Sequence, residues 1–143
     1  MGTATERLNR TMLRVRDRID QEYATELDLA ALAAAVHYSP DHLIRSFRQV
    51  FGETPHRYLQ RRRIERAMFL LRTTDLPVTD VCLRVGFSSV GAFGELFATV
   101  LGESPTAYRQ RGPLPVAPAH FLRAWNRPSS HVDFEEASTD QNP

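Results

Sequence analysis

Three kinds of side chain in this 143-residue chain could do chemistry: one cysteine, five histidines and eighteen arginines. Only the arginines are arranged to act together. Between His37 and Thr73 stand Arg45, Arg48, Arg57, Arg61, Arg62, Arg63, Arg66 and Arg72 against Asp41, Glu53 and Glu65, a local charge of +5. From Thr74 to Gly112, Arg84, Arg109 and Arg111 face Asp75, Asp80, Glu95 and Glu103, a local charge of −1, while the whole chain carries only +1. A one-sided positive block suits contact with a polyanion, and a solvated helix face with ion pairs would look the same by charge alone. His37, His42, His56, His120 and His131 show no metal-ligand spacing with a carboxylate. Cys82 lies beside Val81 and Val85 on the apolar side of a short helix, a setting for an inert buried thiol rather than a nucleophile. With neither a glycine-rich phosphate loop nor a serine nucleophile elbow, no catalytic residue, cofactor or metal site is expected, and the chain reads as a non-enzyme.

The elements that must position these arginines belong to one ordinary domain or two very small ones. Apolar residues make up 42% and charged residues 24%, the composition of a globular chain. The longest apolar run, Leu29 to Val36, falls far short of the roughly 20 residues a membrane span needs. The polar start, Met1 to Arg10, has no signal-peptide core, and a lone cysteine cannot close an internal bridge. These observations place the chain, as an expectation, in a reducing cytoplasm and away from membranes.

Apolar periodicity and capping residues lay out about seven helices. Leu8, Met12, Val15, Ile19 and Tyr23 form one helical stripe, and Leu29, Leu32, Ala33 and Val36 a short second helix. Ser39-Pro40 and Thr54-Pro55 each join a cap to a first-turn proline, opening helices that carry Leu43, Phe47, Val50 and Phe51, then Tyr58, Ile64, Ala67, Met68 and Leu71. After the break at Pro77, a short helix covers Val78 to Val85. Ser88 or Ser89 caps the next helix, with Phe93, Phe97, Val100 and Leu101, and Ser104-Pro105 starts a last one around Tyr108. No segment alternates like a strand, so an all-α fold is expected.

A shift of 50 residues places Leu43, Phe47, Val50, Phe51, Gly52, Glu53, Thr54, Pro55 and Tyr58 on Phe93, Phe97, Val100, Leu101, Gly102, Glu103, Ser104, Pro105 and Tyr108. The short helices upstream correspond at a shift of 49, so the second turn is one residue longer. Each copy is a short helix, a tight turn, a capped longer helix and an exit of Gly-Glu-Ser/Thr-Pro. That is a helix-turn-helix unit, present twice and joined by one long helix.

The order and spacing of Leu29-Ala30-Ala31-Leu32-Ala33, Tyr38-Ser39-Pro40 to Phe47, Pro55-His56-Arg57-Tyr58-Leu59, Arg63-Ile64-Glu65-Arg66-Ala67, Val78-Thr79-Asp80-Val81, Gly86-Phe87-Ser88-Ser89 and Gly102-Glu103-Ser104-Pro105 resemble the DNA-binding domain of AraC/XylS-type transcription regulators. The resemblance implies three regions: a flexible N-terminus at 1–10, a double helix-turn-helix at 11–112, and a proline-led acidic tail at 113–143. It also implies two recognition helices entering successive major-groove segments about one helical turn (~34 Å) apart. Double-stranded DNA is then the partner, RNA polymerase a second one that the family allows, and no small-molecule effector is expected. The protein would be nucleoid-associated when bound to DNA.

With Leu43 taken as inward, the opposite face of the first recognition helix holds Asp41, Arg45, Arg48 and Gln49, flanked by His42 and Ile44. The resemblance carries base contacts onto Asp41, Ile44 and Arg45 and backbone contact onto Arg48. Arg45 is the natural reader, because an arginine bonds both acceptors of a guanine edge. Asp41 accepts from cytosine or orients Arg45, and Ile44 meets a thymine methyl. The face of the second helix opposite Phe93 holds Gly91, Glu95, Ala98 and Thr99, flanked by Ala92 and Gly94, and Val90, Gly91, Gly94 and Glu95 are its candidate DNA contacts. There the counterpart of Arg45 is Glu95, of Arg48 Ala98 and of Asp41 Gly91, a departure from the basic or polar residues usual in the family. Binding is therefore expected mainly through the first unit, with phosphate contacts from Ser39, Arg57, Arg62, Arg66 and Ser89. Half of the arginines on the connecting helix are expected to serve ion pairs and packing instead.

A protein-interaction module that kept the fold but lost ordinary DNA reading is the alternative, motivated by the bare second helix. The stretch outside the two repeats is too short for a sensor domain, so a stand-alone regulator is expected. In the tail, Phe121, Leu122 and Trp125 form an apolar knot expected to dock, and Asp133, Glu135, Glu136 and Asp140 offer a weaker reading as a shield for the basic face.

Overall fold

Six of the seven described helices begin where a side chain accepts an amide hydrogen that the helix start leaves unpaired, and α5, which follows Pro77, has no such cap. The computed structural model describes residues 2–112 as α1 (Ala4–Gln21), α2 (Leu29–Ala35), α3 (Pro40–Phe51), α4 (Pro55–Thr73), α5 (Val78–Arg84), α6 (Val90–Leu101) and α7 (Pro105–Arg111). The expected all-α fold of seven helices stands, with no strand among the described residues. Ser39 Oγ accepts from the His42 amide at 3.1 Å, Ser89 Oγ from Ala92 at 3.2 Å and Ser104 Oγ from Ala107 at 3.1 Å. Ser89, not Ser88, is thus the cap of α6.

One expectation fails at the N-terminus. Residues 4–10, assigned above to a flexible start, are the first turns of α1. Thr3 and Glu6 form a reciprocal capping box, Glu6 N donating to Thr3 Oγ1 at 3.1 Å and Thr3 N to Glu6 Oε2 at 3.0 Å. The proposed docking of Phe121 and Trp125, and the acidic tail, lie outside the described residues.

The described residues form two compact units that divide within α4, between Arg62 and Arg63. The first closes on a core of Met12, Val15 and Ile19 from α1, Leu32 and Ala33 from α2, Leu43 and Phe47 from α3, and Tyr58 and Leu59 from α4. Asp20 of α1 ties this core to α4: Tyr58 Oη donates to its Oδ1 at 2.5 Å, and Arg62 Nε reaches the same oxygen at 3.1 Å. In the second unit, Ile64, Ala67, Met68 and Leu71 of α4 are buried, as are Val81 and Cys82 of α5, Phe93, Leu96, Phe97, Val100 and Leu101 of α6, and Tyr108 of α7.

The fifty-residue register holds in three dimensions. α3 and α6 both have 12 residues and both end on a left-handed glycine, Gly52 at φ 77° and Gly102 at φ 79°. Phe47 meets Tyr58 edge-on at 5.7 Å, and Phe97 meets Tyr108 edge-on at 5.5 Å. The tight turns match less closely. Each needs a positive φ, which Gly86 supplies at 102° in the second and His37 at 63° in the first, a conformation that costs a residue with a Cβ roughly 1–2 kcal/mol.

Candidate nucleic-acid interface

With its cap at Ser39 and its apolar stripe fixed inward by Leu43 and Phe47, α3 turns its other face outward. Asp41, His42, Arg45, Arg48 and Gln49 are exposed and Ile44 is half-buried, the face the sequence assigns. Arg45 Nε donates to the main-chain carbonyl of Asp41 at 3.4 Å. That contact lays the guanidinium along the helix surface through the carbonyl of Asp41. His42 stacks flat on Tyr38 of the turn, ring centroids 4.1 Å apart and planes 9° from parallel, which fixes its ring beside the cap. The face is polar, basic and about one helix wide, the shape that fits a major groove.

The equivalent face of α6 is different in kind. Val90, Gly91, Ala92, Glu95 and Thr99 are exposed, and Gly94 and Ala98 half-buried. No described cation pairs with Glu95. A Cβ at Gly94 would meet nothing within 4 Å, and one at Gly91 only Ser89 Oγ at 3.7 Å, so no packing among the described residues requires either glycine.

The arginines of α4 divide among several tasks, as adjacent positions 100° apart on a helix must. Arg63 is 8% exposed, with its guanidinium 5.7 Å from the Phe87 ring centre, and burial pulls its pKa down. Arg62 shares Asp20 with Tyr58, and Arg66 stands over the Phe69 ring at 4.7 Å. Arg57 is half-buried with Nε shielded from solvent, and Ser39 and Ser89 both spend their hydroxyls on helix caps while staying exposed.

Arg61 belongs to a device the sequence reading missed. Its Nη2 lies 2.7 Å from Glu53 Oε1 and its guanidinium 5.2 Å from the Tyr58 ring centre. Fifty residues on, Arg111 Nη2 lies 3.0 Å from Glu103 Oε2 and 5.8 Å from the Tyr108 ring centre. In both copies a glutamate just past the recognition helix, an arginine on the next helix and the tyrosine between them make one clasp. Extending the fifty-residue register three positions past the tyrosines would have revealed it.

Cys82 is buried, its thiol 3.8 Å from the Phe87 carbonyl, and burial pushes its pKa up, away from thiolate chemistry.

Comparison with known proteins agrees with this geometry. A family model described as a helix-turn-helix domain matches residues 32–111. The transcriptional activator AarP of Providencia stuartii is 37% identical over 91 residues, covering 64% of this chain and 67% of that protein. RhaS of Escherichia coli, another transcriptional activator, is 37% identical over 92 residues, 64% of this chain and 33% of its own length. Among solved structures, the DNA-binding domain of the global transcriptional factor AdpA in complex with a target DNA shares 33% identity over 70% of this chain and 90% of that one, with a TM-score of 0.66. The chain spans only part of the curated relatives it matches, down to 13% of one from Staphylococcus aureus. The repeated unit, its seven helices and these matches together establish that the chain belongs to the AraC/XylS-type family of helix-turn-helix transcription regulators.

Proposed function

We infer that this chain regulates transcription by binding duplex DNA at specific sequences, with α3 of the first unit as its principal reader. One observation carries the reading: the face of α3 opposite its buried stripe exposes Arg45, Arg48, Gln49 and His42 together. Arg45 bonds the O6 and N7 of a guanine, Gln49 and Asp41 reach neighbouring base edges, and Ile44 offers an apolar contact to a thymine methyl. Arg48, Arg57, Arg62 and Arg66 neutralise phosphates, and the exposed caps at Ser39 and Ser89 stand beside helix-start amides that suit phosphate oxygens. Val90, Gly91, Gly94 and Glu95 of α6 form a second, weaker contact.

On this reading the chain binds rather than catalyses, works in the cytoplasm, and touches RNA polymerase when it activates. Two observations support it: the activators among its relatives and the buried, hydrogen-bonded Cys82. An electrophoretic shift on the protein's own promoter region and on unrelated DNA, at two salt concentrations, tests the central claim. Four arginine–phosphate contacts predict a slope of log affinity against log salt on the order of −4. A flat salt response, or equal affinity for unrelated DNA, would overturn it.

A further inference from the structure

We propose that Glu95 makes α6 a cytosine selector: it decides which sequence the second recognition helix accepts without adding to the affinity for DNA. The inference rests on the DNA-binding reading above.

Arg45 and Glu95 each stand six residues after a serine cap, Ser39 and Ser89, on helices of equal length with the same glycine terminus. The position that holds the best base reader on α3 therefore holds a carboxylate on α6, and that carboxylate is exposed. Its surroundings leave it prominent. Gly91, Ala92, Gly94, Ala98 and Thr99 are all small, and both glycines have open room for a Cβ. Gly94, inside the helix, costs it roughly 1 kcal/mol relative to alanine. No packing inside the described residues offsets that cost, whereas a low surface around Glu95 lets the helix approach a groove floor with the carboxylate leading.

A carboxylate at pH 7 only accepts hydrogen bonds. In the major groove, guanine shows two acceptors, thymine an acceptor and a methyl, and adenine sets an acceptor beside its amino group. Cytosine N4 alone offers a donor without an adjacent acceptor on the same base. Repulsion from the phosphates weakens Glu95 at every sequence, and only cytosine returns a bond with no acceptor beside it on the same base to repel the carboxylate. The result is selection by rejection of the other three bases.

Sequence selection from randomised duplexes with the full chain, its Glu95→Gln and Glu95→Ala variants and an Arg45→Ala control tests this, with thermal melting as the check that each variant folds. Wild type should require cytosine at one position, by on the order of tenfold over the other bases. Glu95→Gln should move that preference to adenine and leave other positions unchanged. Glu95→Ala should leave that position degenerate, with the preference for cytosine there lost and the preferences at the other positions kept. Identical base preferences in wild type and both Glu95 variants would overturn the assignment, as would loss of all site-specific binding in Glu95→Ala. If the Arg45 control loses selection while the Glu95 variants leave every base preference unchanged, only the Glu95 assignment fails. If wild type itself selects no sequence, the DNA-reading proposal fails with it.

Discussion

Set in register fifty residues apart, α3 and α6 pair Leu43 with Phe93, Phe47 with Phe97 and Gly52 with Gly102 on their inner and terminal positions, and Asp41 with Gly91, Arg45 with Glu95 and Arg48 with Ala98 on their outer ones. The inner faces agree in being apolar because each must fill a close-packed space between neighbouring helices. Among the described residues the outer faces are exposed or half-buried, so close packing does not constrain them as it does the inner faces. The clasp follows the inner pattern: Glu53–Arg61–Tyr58 and Glu103–Arg111–Tyr108 hold equivalent geometry just past α3 and α6.

The two units also differ inside. Tyr58 donates its hydroxyl to Asp20, whereas the buried hydroxyl of Tyr108 has no hydrogen-bond partner. The same tyrosine thus anchors a charged network in one copy and serves as ring and volume alone in the other.

The sharpest way to break the claim of equivalent cores is to truncate their central rings. Phe47→Ala and Phe97→Ala should each cost about 3–5 kcal/mol, enough to unfold the affected unit, measured by denaturant titration. A large loss for one and a small loss for the other would show that the inner faces are not equivalent. The outer faces should separate instead. Arg45→Ala should weaken binding to the specific site by about 1–3 kcal/mol in a shift assay while unrelated DNA is bound nearly as before.

The tyrosines sharpen the internal contrast. Tyr58→Phe should lose about 1–2 kcal/mol, as a hydrogen bond to a charged group is removed, while Tyr108→Phe should be neutral or slightly stabilising because a buried unpaired hydroxyl goes with it. Burial and the Asp20 carboxylate hold the Tyr58 hydroxyl above its ordinary value of 10.0. Its contribution is therefore complete below pH 10 and falls away above it, as the unfolded chain releases a proton the folded unit keeps. Melting temperatures across that range should drop less steeply in Tyr58→Phe. The smallest effect belongs to the bare helix: with open space at the site, Gly94→Ala should stabilise the second unit by about 0.5–1 kcal/mol in thermal melts.

Most of the skeleton was legible because helix starts and faces are local matters. Ser39-Pro40 and Ser104-Pro105 announced their helices, and Leu43 with Phe47 set which side of α3 faces out. The start of α1 is equally written, in the capping box of Thr3 and Glu6, ahead of the first apolar position of its stripe at Leu8.

The sequence by itself determined the duplication, the all-α plan and the outward placement of Arg45, since these follow from spacings of three, four and fifty residues along one chain. The tertiary structure alone decided what the arginines of α4 pair with inside each unit. Asp20 lies 42 positions from Arg62, and Phe87 lies 24 positions from Arg63. A guanidinium's partner is chosen by whatever folding brings beside it, and no periodicity along the chain encodes that meeting.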